Sequence, residues 1–456
     1  MAYEDLRSFL DALGSDLLRV NQALDPKFEM AALLREVQSG GQAVLFETVT
    51  GCPGARVVGN ILSSRRALAL ALGTAPEDLA QTYRRNKARS LPAVLLGGAA
   101  PAQEVIHRGP EDLLSILPIL THHDRDVAPY ITCGLVLAKD PETGRRAMGI
   151  HRVMCPRGKR LGILLGGPPF TRLHGAAEAQ GRPLEIAVAL GVDPATLLAS
   201  VVKIGPLGPD KFDIAGALRG LPLELVRARS VDLEVPARAE IIIEGHVLPG
   251  VREPEGPFGE NTGCYFTNSS PVVEVTAVTH RRDFIYPGLC PWTVEVDHLL
   301  SLAAGTELLG QLQAQTYGVL DLEMIAGTCA FSAVISVRGC RPTEVRRVIL
   351  LALALDRRLK SVTVVDEDVD IRSPREVAWA LATRCQPDRD TVVLRGVEGY
   401  VIDPSTLGGD TGSKIGFDAT RGPGAAFDKV TVPAAARAKA RAVVAELEVR
   451  KRAGSL

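Results

Sequence analysis

Two β-branched runs frame the middle of this 456-residue chain. Glu240-Ile-Ile-Ile-Glu-Gly-His-Val-Leu248 and Val272-Val-Glu-Val-Thr-Ala-Val-Thr279 both read as strands. Between them, Glu253 to Tyr265 is punctuated by Gly256, Pro257, Gly259 and Gly263, which predicts a short loop joining the strands. That loop carries Glu255 and Glu260. Two carboxylates on a loop held by a firm scaffold suit general acid/base work. A solvated turn with two surface glutamates is the alternative reading of the same residues.

Composition narrows the function classes. The chain is 46% hydrophobic and 23% charged with a formal net charge of -1, so nothing points to a nucleic acid or a membrane surface as partner. Aromatic residues make up only 4%, too few for single-strand stacking platforms. No apolar run is long enough to span a bilayer, and Met1 to Asp5 lacks a signal-peptide pattern, so the expected location is cytoplasmic. The eight cysteines include no C-x-x-C pair and read as reduced thiols, not as a disulfide framework or zinc site. A chain of this length predicts two or three domains.

In chain order, Leu6, Phe9, Leu10 and Leu13 mark one face of a helix, and a second helix spans Met30 to Val37. Strands at 43–46 and 56–59 and a helix from Ser64 complete an opening α/β segment over 1–100. His122, His123, Asp124 and Asp126 resemble metal ligands in type. Neighbouring side chains on an extended segment face opposite ways, so a backbone-bonding turn is expected instead. Ile131–Ala138 and Ala147–Met154 flank a turn signal at 139–145 and predict a hairpin with Arg152 on its second strand. His151 and Arg152 then face opposite sides, and an Arg aimed into a pocket fits a carboxylate or phosphate. Gly166-Gly167 lacks the companions of a phosphate loop. Further on, a helix capped by Thr343 and a strand over 361–365 predict a βαβ-like C-terminal domain over 331–456, reached through a linker at 306–330. Asp366 to Asp370 lacks calcium-loop spacing. Gly412 to Thr420 reads as a small-residue loop with one cation, Lys414.

Several of these segments together resemble the UbiD family of prenylated-FMN-dependent decarboxylases. The resemblance rests on Ile214-Ala-Gly-Ala-Leu-Arg-Gly, Asp232-Leu-Glu-Val-Pro, Pro254-Glu-Gly-Pro-Phe-Gly-Glu-Asn-Thr-Gly, Val365-Asp-Glu-Asp-Val-Asp and Gly412-Ser-Lys. These run in the family's order from about Val57 to Thr420. The resemblance implies an α/β (α+β) fold: a flavin-binding domain with a split β-barrel over 101–305, then a smaller C-terminal α/β oligomerisation domain. It also implies a catalytic network of Arg152, Glu255 and Glu260. Glu260 would protonate the product, Arg152 would hold the substrate carboxylate, and Glu255 would position Arg152. The implied reaction is reversible, non-oxidative decarboxylation of an aromatic, heteroaromatic or α,β-unsaturated acid through a covalent adduct with prenylated FMN. Ile150, His151, Arg152 and Lys414 are the implied cofactor contacts, and Lys211, where this chain departs from the family's pattern, is a further candidate. A flavin prenyltransferase is the implied supplier of the cofactor, and a homodimer or homohexamer the implied assembly.

The family holds its flavin phosphate with a divalent cation, usually manganese, and a nearby potassium. The manganese ligands are an Asn, a His and a Glu. Here the Asn position is Ala147, no His occurs in 166–170, and the Glu position is Lys211. The expectation is therefore a site with no divalent metal, in which the Lys211 ammonium takes over part of the missing charge. Asp210 or His174 could alternatively rescue a different metal geometry. Two further readings stand beside the decarboxylase: a non-catalytic flavin-binding or scaffolding subunit, and a metal hydrolase using His122, His123 and the Asp366 cluster. Cys264, Tyr265, Trp292, Glu295 and the 328–331 loop are the expected pocket wall.

Overall fold

The computed structural model describes residues 3–204, 208–406, 409, 411–422 and 429–452. Helix α1 (Leu6–Leu13) buries the predicted face of Leu6, Phe9, Leu10 and Leu13, and Asp5 caps it by accepting from the Ser8 N–H. Helix α2 (Glu29–Val37) follows. The first sheet orders Leu17–Val20, Ala43–Phe46, Arg56–Gly59 and Ile285–Gly288 side by side. Its fourth strand comes from the far end of the central domain, so the opening segment is knitted into that domain.

The central sheet has nine strands: β1 (Val105–Arg108), β2 (Tyr130–Ile131), β3 (Leu135–Lys139), β4 (Arg146–Ile150), β5 (Val153–Met154), β6 (Arg160–Ile163), β7 (Leu184–Leu190), β8 (Ile241–Gly259) and β9 (Tyr265–His280). Their order is β2-β5-β6-β9-β8-β7-β3-β4, with β1 on β9. The expected 131–154 hairpin forms, but divided. β3 pairs β4 at one end of the strand order and β2 pairs β5 at the other. The two halves are joined only through Thr132-Cys133-Gly134 on one arm and His151-Arg152 on the other. The sheet thus bends until its two edges share a single hairpin, without closing into a barrel. Arg152 lies in this break and not on a strand, which corrects the sequence expectation.

Helix α3 (Phe170–Ala179) covers β7 and β8, and α4 (Lys211–Arg219) packs near β4. A short helix, Pro194–Ser200, follows Asp193, whose side chain accepts from the Thr196 N–H. Helix α5 (Val294–Gln315) runs unbroken out of the central domain, and β10 (Val319–Met324) follows it directly. Residues 306–330, expected as a linker, are therefore helix end, strand and turn. Leu308, Leu309 and Leu312 continue the buried stripe past residue 306, so nothing there stops the helix.

The C-terminal sheet contains β10, β11 (Ser332–Val337), β12 (Ser361–Asp366), β13 (Thr391–Glu398) and β14 (Thr411–Ala419), in the order β10-β11-β12-β14-β13. β11 and β12 are parallel around helix α6 (Pro342–Leu355), the expected βαβ unit. Pro342 opens α6, so Thr343 lies inside the helix and is not its cap; proline's fixed φ suits the first helical position. Gly412 to Thr420, expected as a loop, lies mostly in β14.

Candidate active site

Glu255 is on β8 itself, and Glu260 is the first residue after it. The predicted loop is thus only the tight turn 260–264, closed by the Glu260 N–H to Cys264 C=O bond at 2.9 Å. Five residues of regular strand would put the two glutamates on opposite faces. A bulge corrects this. Glu255 faces Asn268 and Phe258 faces Phe266, so three steps on β8 match two on β9. The extra residue shifts the alternation by one and returns both carboxylates to one side. Gly256 makes the bulge possible: its φ is 96°, and a Cβ there would collide with the Phe266 carbonyl.

Arg152 reaches this pair from the hairpin break. Its Nε donates to Glu255 Oε1 at 3.0 Å and its Nη2 to Glu255 Oε2 at 2.7 Å, a bidentate pair. Its Nη1 donates to Glu260 Oε1, and the other Glu260 oxygen accepts from the Asn261 N–H at 3.1 Å. All three side chains are buried, Glu255 at 1% exposure. The guanidinium also sits 5.0 Å over the Phe258 ring, which packs on Tyr130. Burial, and then the nearby Glu255 charge, push the Tyr130 phenol well up.

The 121–126 segment is the turn expected as the alternative to a metal site, and it has a role the sequence did not show. Asp126 Oδ2 accepts from the His122 and His123 N–H groups, and its Oδ1 accepts from the Gly259 N–H at 2.9 Å. Burial pushes His122 down to about 3, so it is neutral. The His123 Nε2 lies 2.5 Å from Arg35 on α2, and its ring packs where a side chain at 259 would stand. A Gly259→Ala change is therefore expected to cost about 1–3 kcal/mol and to lower turnover, because the added methyl must displace His123 beside Glu260. Denaturant melts and steady-state rates check it; an unchanged midpoint would refute the packing argument.

The expected pocket residues fall in different places. Thr262, Thr328, Cys329 and Phe331, together with Lys360 and Lys414, line a cavity of about 660 Å³ between the Glu260 turn and the C-terminal domain. The Tyr265 hydroxyl donates to Asp124. Trp292 is half-exposed and packs on Gly263. Glu295 faces away: it is 1% exposed and accepts from the Leu62 N–H at 2.9 Å, tying the opening segment to α5.

Burial pushes the Glu295 carboxyl up to about 7 against the pull of the residue 60–62 N–H groups. Its folded pKa lies above the unfolded one, so its stabilising share is complete below the unfolded value and is lost as pH rises through 7. Between pH 5 and pH 8 the Glu295→Gln protein is expected to lose about 2–3 kcal/mol less stability than the parent. Parallel urea titrations at the two pH values would show no difference if the carboxyl titrates normally.

Of the expected cofactor contacts, Ile150 ends β4 and His151 follows it. The His151 Nδ1 meets the Leu164 carbonyl at 2.9 Å, and Phe170 packs edge-on against the ring. Burial, with Lys211 nearby, pushes His151 down to about 4, so the ring is neutral. Lys211, the first residue of α4, donates to the Ser200 carbonyl at 2.6 Å; burial pushes its ammonium down to about 8. Lys414 is committed elsewhere. On β14 its ammonium bonds the Leu353 carbonyl at 2.8 Å and those of Asp356 and Arg357, closing the C-terminal end of α6.

A partly buried cation beside His151 fits an anionic group such as a flavin phosphate. A divalent metal does not fit. Ala147 is buried and carries no donor, and residues 166–170 offer none. Asp210 pairs with Arg146 at 2.6 Å. His174 lies towards Glu178 and Arg252. No group of three His, Cys, Asp or Glu side chains comes together among the described residues. The Asp366 run likewise is no cation site, because Arg384 bonds both Asp366 and Asp368, at 3.2 and 2.7 Å. With the histidine turn explained as well, the hydrolase reading finds no metal site among the described residues. Among the described residues no helix is long and apolar enough to cross a membrane.

Residues 10–87, 94–293 and 297–419 match, in turn, the N-terminal, Rift-related and C-terminal domains of 3-octaprenyl-4-hydroxybenzoate carboxy-lyase, UbiD. The chain is 34% identical over 417 residues to the anhydromevalonate phosphate decarboxylase of Methanothermobacter thermautotrophicus, covering 91% of this chain and 96% of that one. Among solved structures it resembles the UbiD-class enzyme HmfF of Pelotomaculum thermopropionicum in complex with FMN, at 40% identity and a TM-score of 0.90, covering 94% of this chain and 97% of that one. An evolved dimeric form of that enzyme in complex with prFMN matches at 40% identity, a TM-score of 0.86 and the same coverage. Matched by three consecutive domain families and by a relative along nearly its whole length, this chain belongs to the UbiD family of carboxy-lyases.

Proposed function

We propose that the chain catalyses reversible, non-oxidative decarboxylation of an aromatic, heteroaromatic or α,β-unsaturated acid, using prenylated FMN. The observation that carries this reading is the buried Arg152–Glu255–Glu260 network. Bound prenylated FMN supplies the electron sink for loss of CO2. The chain's own residues supply substrate binding and proton transfer. Glu255 grips Arg152 through two N–H groups and stays with it. Glu260 holds Arg152 through one N–H only and is the partner free to leave. Its departure opens Nη1 to a substrate carboxylate and leaves the Glu260 carboxylate to take up a proton and pass it to the product. Side-chain burial around the network excludes water, which would otherwise compete for that proton.

Lys211 and His151 are the cofactor-side residues of this reading, and a flavin prenyltransferase is the supplier. Exposed Leu350, Leu355, Val393 and Val401 support the C-terminal domain as an oligomerisation unit, which light scattering of the purified protein tests. The activity is tested by co-expression with a flavin prenyltransferase, a visible spectrum, and CO2 exchange on a panel of acids. Bound prenylated flavin without exchange on any acid, and without an effect of Glu260→Gln, would turn the reading towards a non-catalytic flavin-binding subunit.

A further inference from the structure

We propose that Lys211 itself neutralises the phosphate of the flavin, and that the chain holds its cofactor without a divalent metal. The inference rests on the flavin-dependent reading above and concerns how the same site is built.

Among the described residues Lys211 is a cation without a counter-ion. Its ammonium bonds one neutral carbonyl, that of Ser200, and among the described residues no carboxylate forms an ion pair with it. The acidic side chains nearest in sequence are committed. Asp210 Oδ2 holds Arg146 while its Oδ1 caps α4 through the Phe212 N–H. Asp213 accepts from the Ala93 N–H and from the Ser90 hydroxyl. Arg146 stacks over Phe212, so it cannot swing over to release Asp210 without losing that contact as well. A desolvated ammonium with two spare N–H donors and no acid of its own calls for an anionic ligand.

The residues at the expected ligand positions supply no side-chain ligand for a metal. Ala147 on β4 is buried and apolar, Phe170 opens α3 with its ring edge on His151, and Lys211 repels any added cation. An ammonium and a phosphate make charge-assisted bonds directly. The chain thus keeps a positive charge at this place while exchanging a bound ion for a covalent side chain.

The test uses ordinary FMN and riboflavin as probes, because they differ only in the phosphate. The full-length protein is expressed in manganese-supplemented medium, and metal content and both affinities are measured with and without EDTA. The expected result is substoichiometric metal and FMN binding that EDTA leaves unchanged. Lys211→Met is expected to weaken FMN about tenfold or more and riboflavin about twofold or less, with Lys211→Arg recovering part of the FMN affinity. Stoichiometric manganese, EDTA-sensitive FMN binding, or an equal loss of FMN and riboflavin in Lys211→Met would each overturn the proposal while leaving the flavin-dependent reading in place. Failure of the unmodified protein to bind FMN at all would overturn both.

Discussion

Replacing Arg152 by methionine is expected to lower turnover about 10³-fold and to destabilise the protein by about 3–5 kcal/mol. The two losses have different causes. Turnover falls because, among the described residues, no other cation pairs with Glu255 or Glu260 to receive a substrate carboxylate. Stability falls because Glu255, at 1% exposure, is left among the described residues with a long 3.4 Å contact to the Asn268 amide and the nearby Tyr130 phenol once the bidentate partner is gone. Two buried carboxylates then face each other, and one must take up a proton. Arg152→Lys separates the effects. A point charge cannot span both Glu255 oxygens and Glu260 together, so part of the stability returns and little of the activity. Turnover of the prenyl-flavin-loaded enzyme and urea melts are the two measurements. Full activity in Arg152→Met would remove the network from the mechanism.

Glu260→Gln is expected to lower kcat by about 10²–10⁴ while changing stability by less than about 1 kcal/mol. Glutamine keeps one acceptor oxygen for Arg152 and gives up the bond from the Asn261 N–H, while the Glu260 N–H to Cys264 C=O bond still closes the turn. The amide cannot deliver a proton. Exchange of solvent deuterium into the product should fall with kcat, because both depend on the same group. The companion Glu255→Gln should behave differently, weakening substrate affinity and stability together, since the amide cannot accept both Arg152 bonds. Equal kinetic signatures for the two variants would contradict the division of roles between them.

The sequence made some parts of this site legible for local reasons and hid others for long-range ones. Glu255 and Glu260 stand out because Gly and Pro crowd around them, and Gly256 does form a bulge. Their common face was not legible, because strand alternation predicts the reverse until the bulge is known. Arg152 is 103 residues from Glu255, and its partnership came into view through family resemblance, not through spacing. Asp126 was readable as a turn-former, but its bond to the Gly259 N–H depends on how two distant segments pack. Glu295, expected in the pocket wall, faces the residue 60–62 backbone because α5 docks against the opening sheet. The expected linker failed because α5 and β10 use residues that look ordinary in both states. Lys414 looked like a free cation in a loop; three backbone carbonyls at a helix end claim it.

The bulge between Glu255 and Glu260 has a consequence for how the chain can change over time. The positioning of the two acids depends on a count, the one extra residue on β8 relative to β9. Substitutions that preserve that count, outside Gly256 and Gly259, leave the acids on a shared side. Removing the one extra residue leaves a regular four-residue separation matched to the same span of β9, which keeps the acids on the shared side. Adding one puts the acids on opposite sides of the sheet. An insertion in this stretch of a related chain is therefore the change that separates the two acids, whereas exchanges outside Gly256 and Gly259 leave them together.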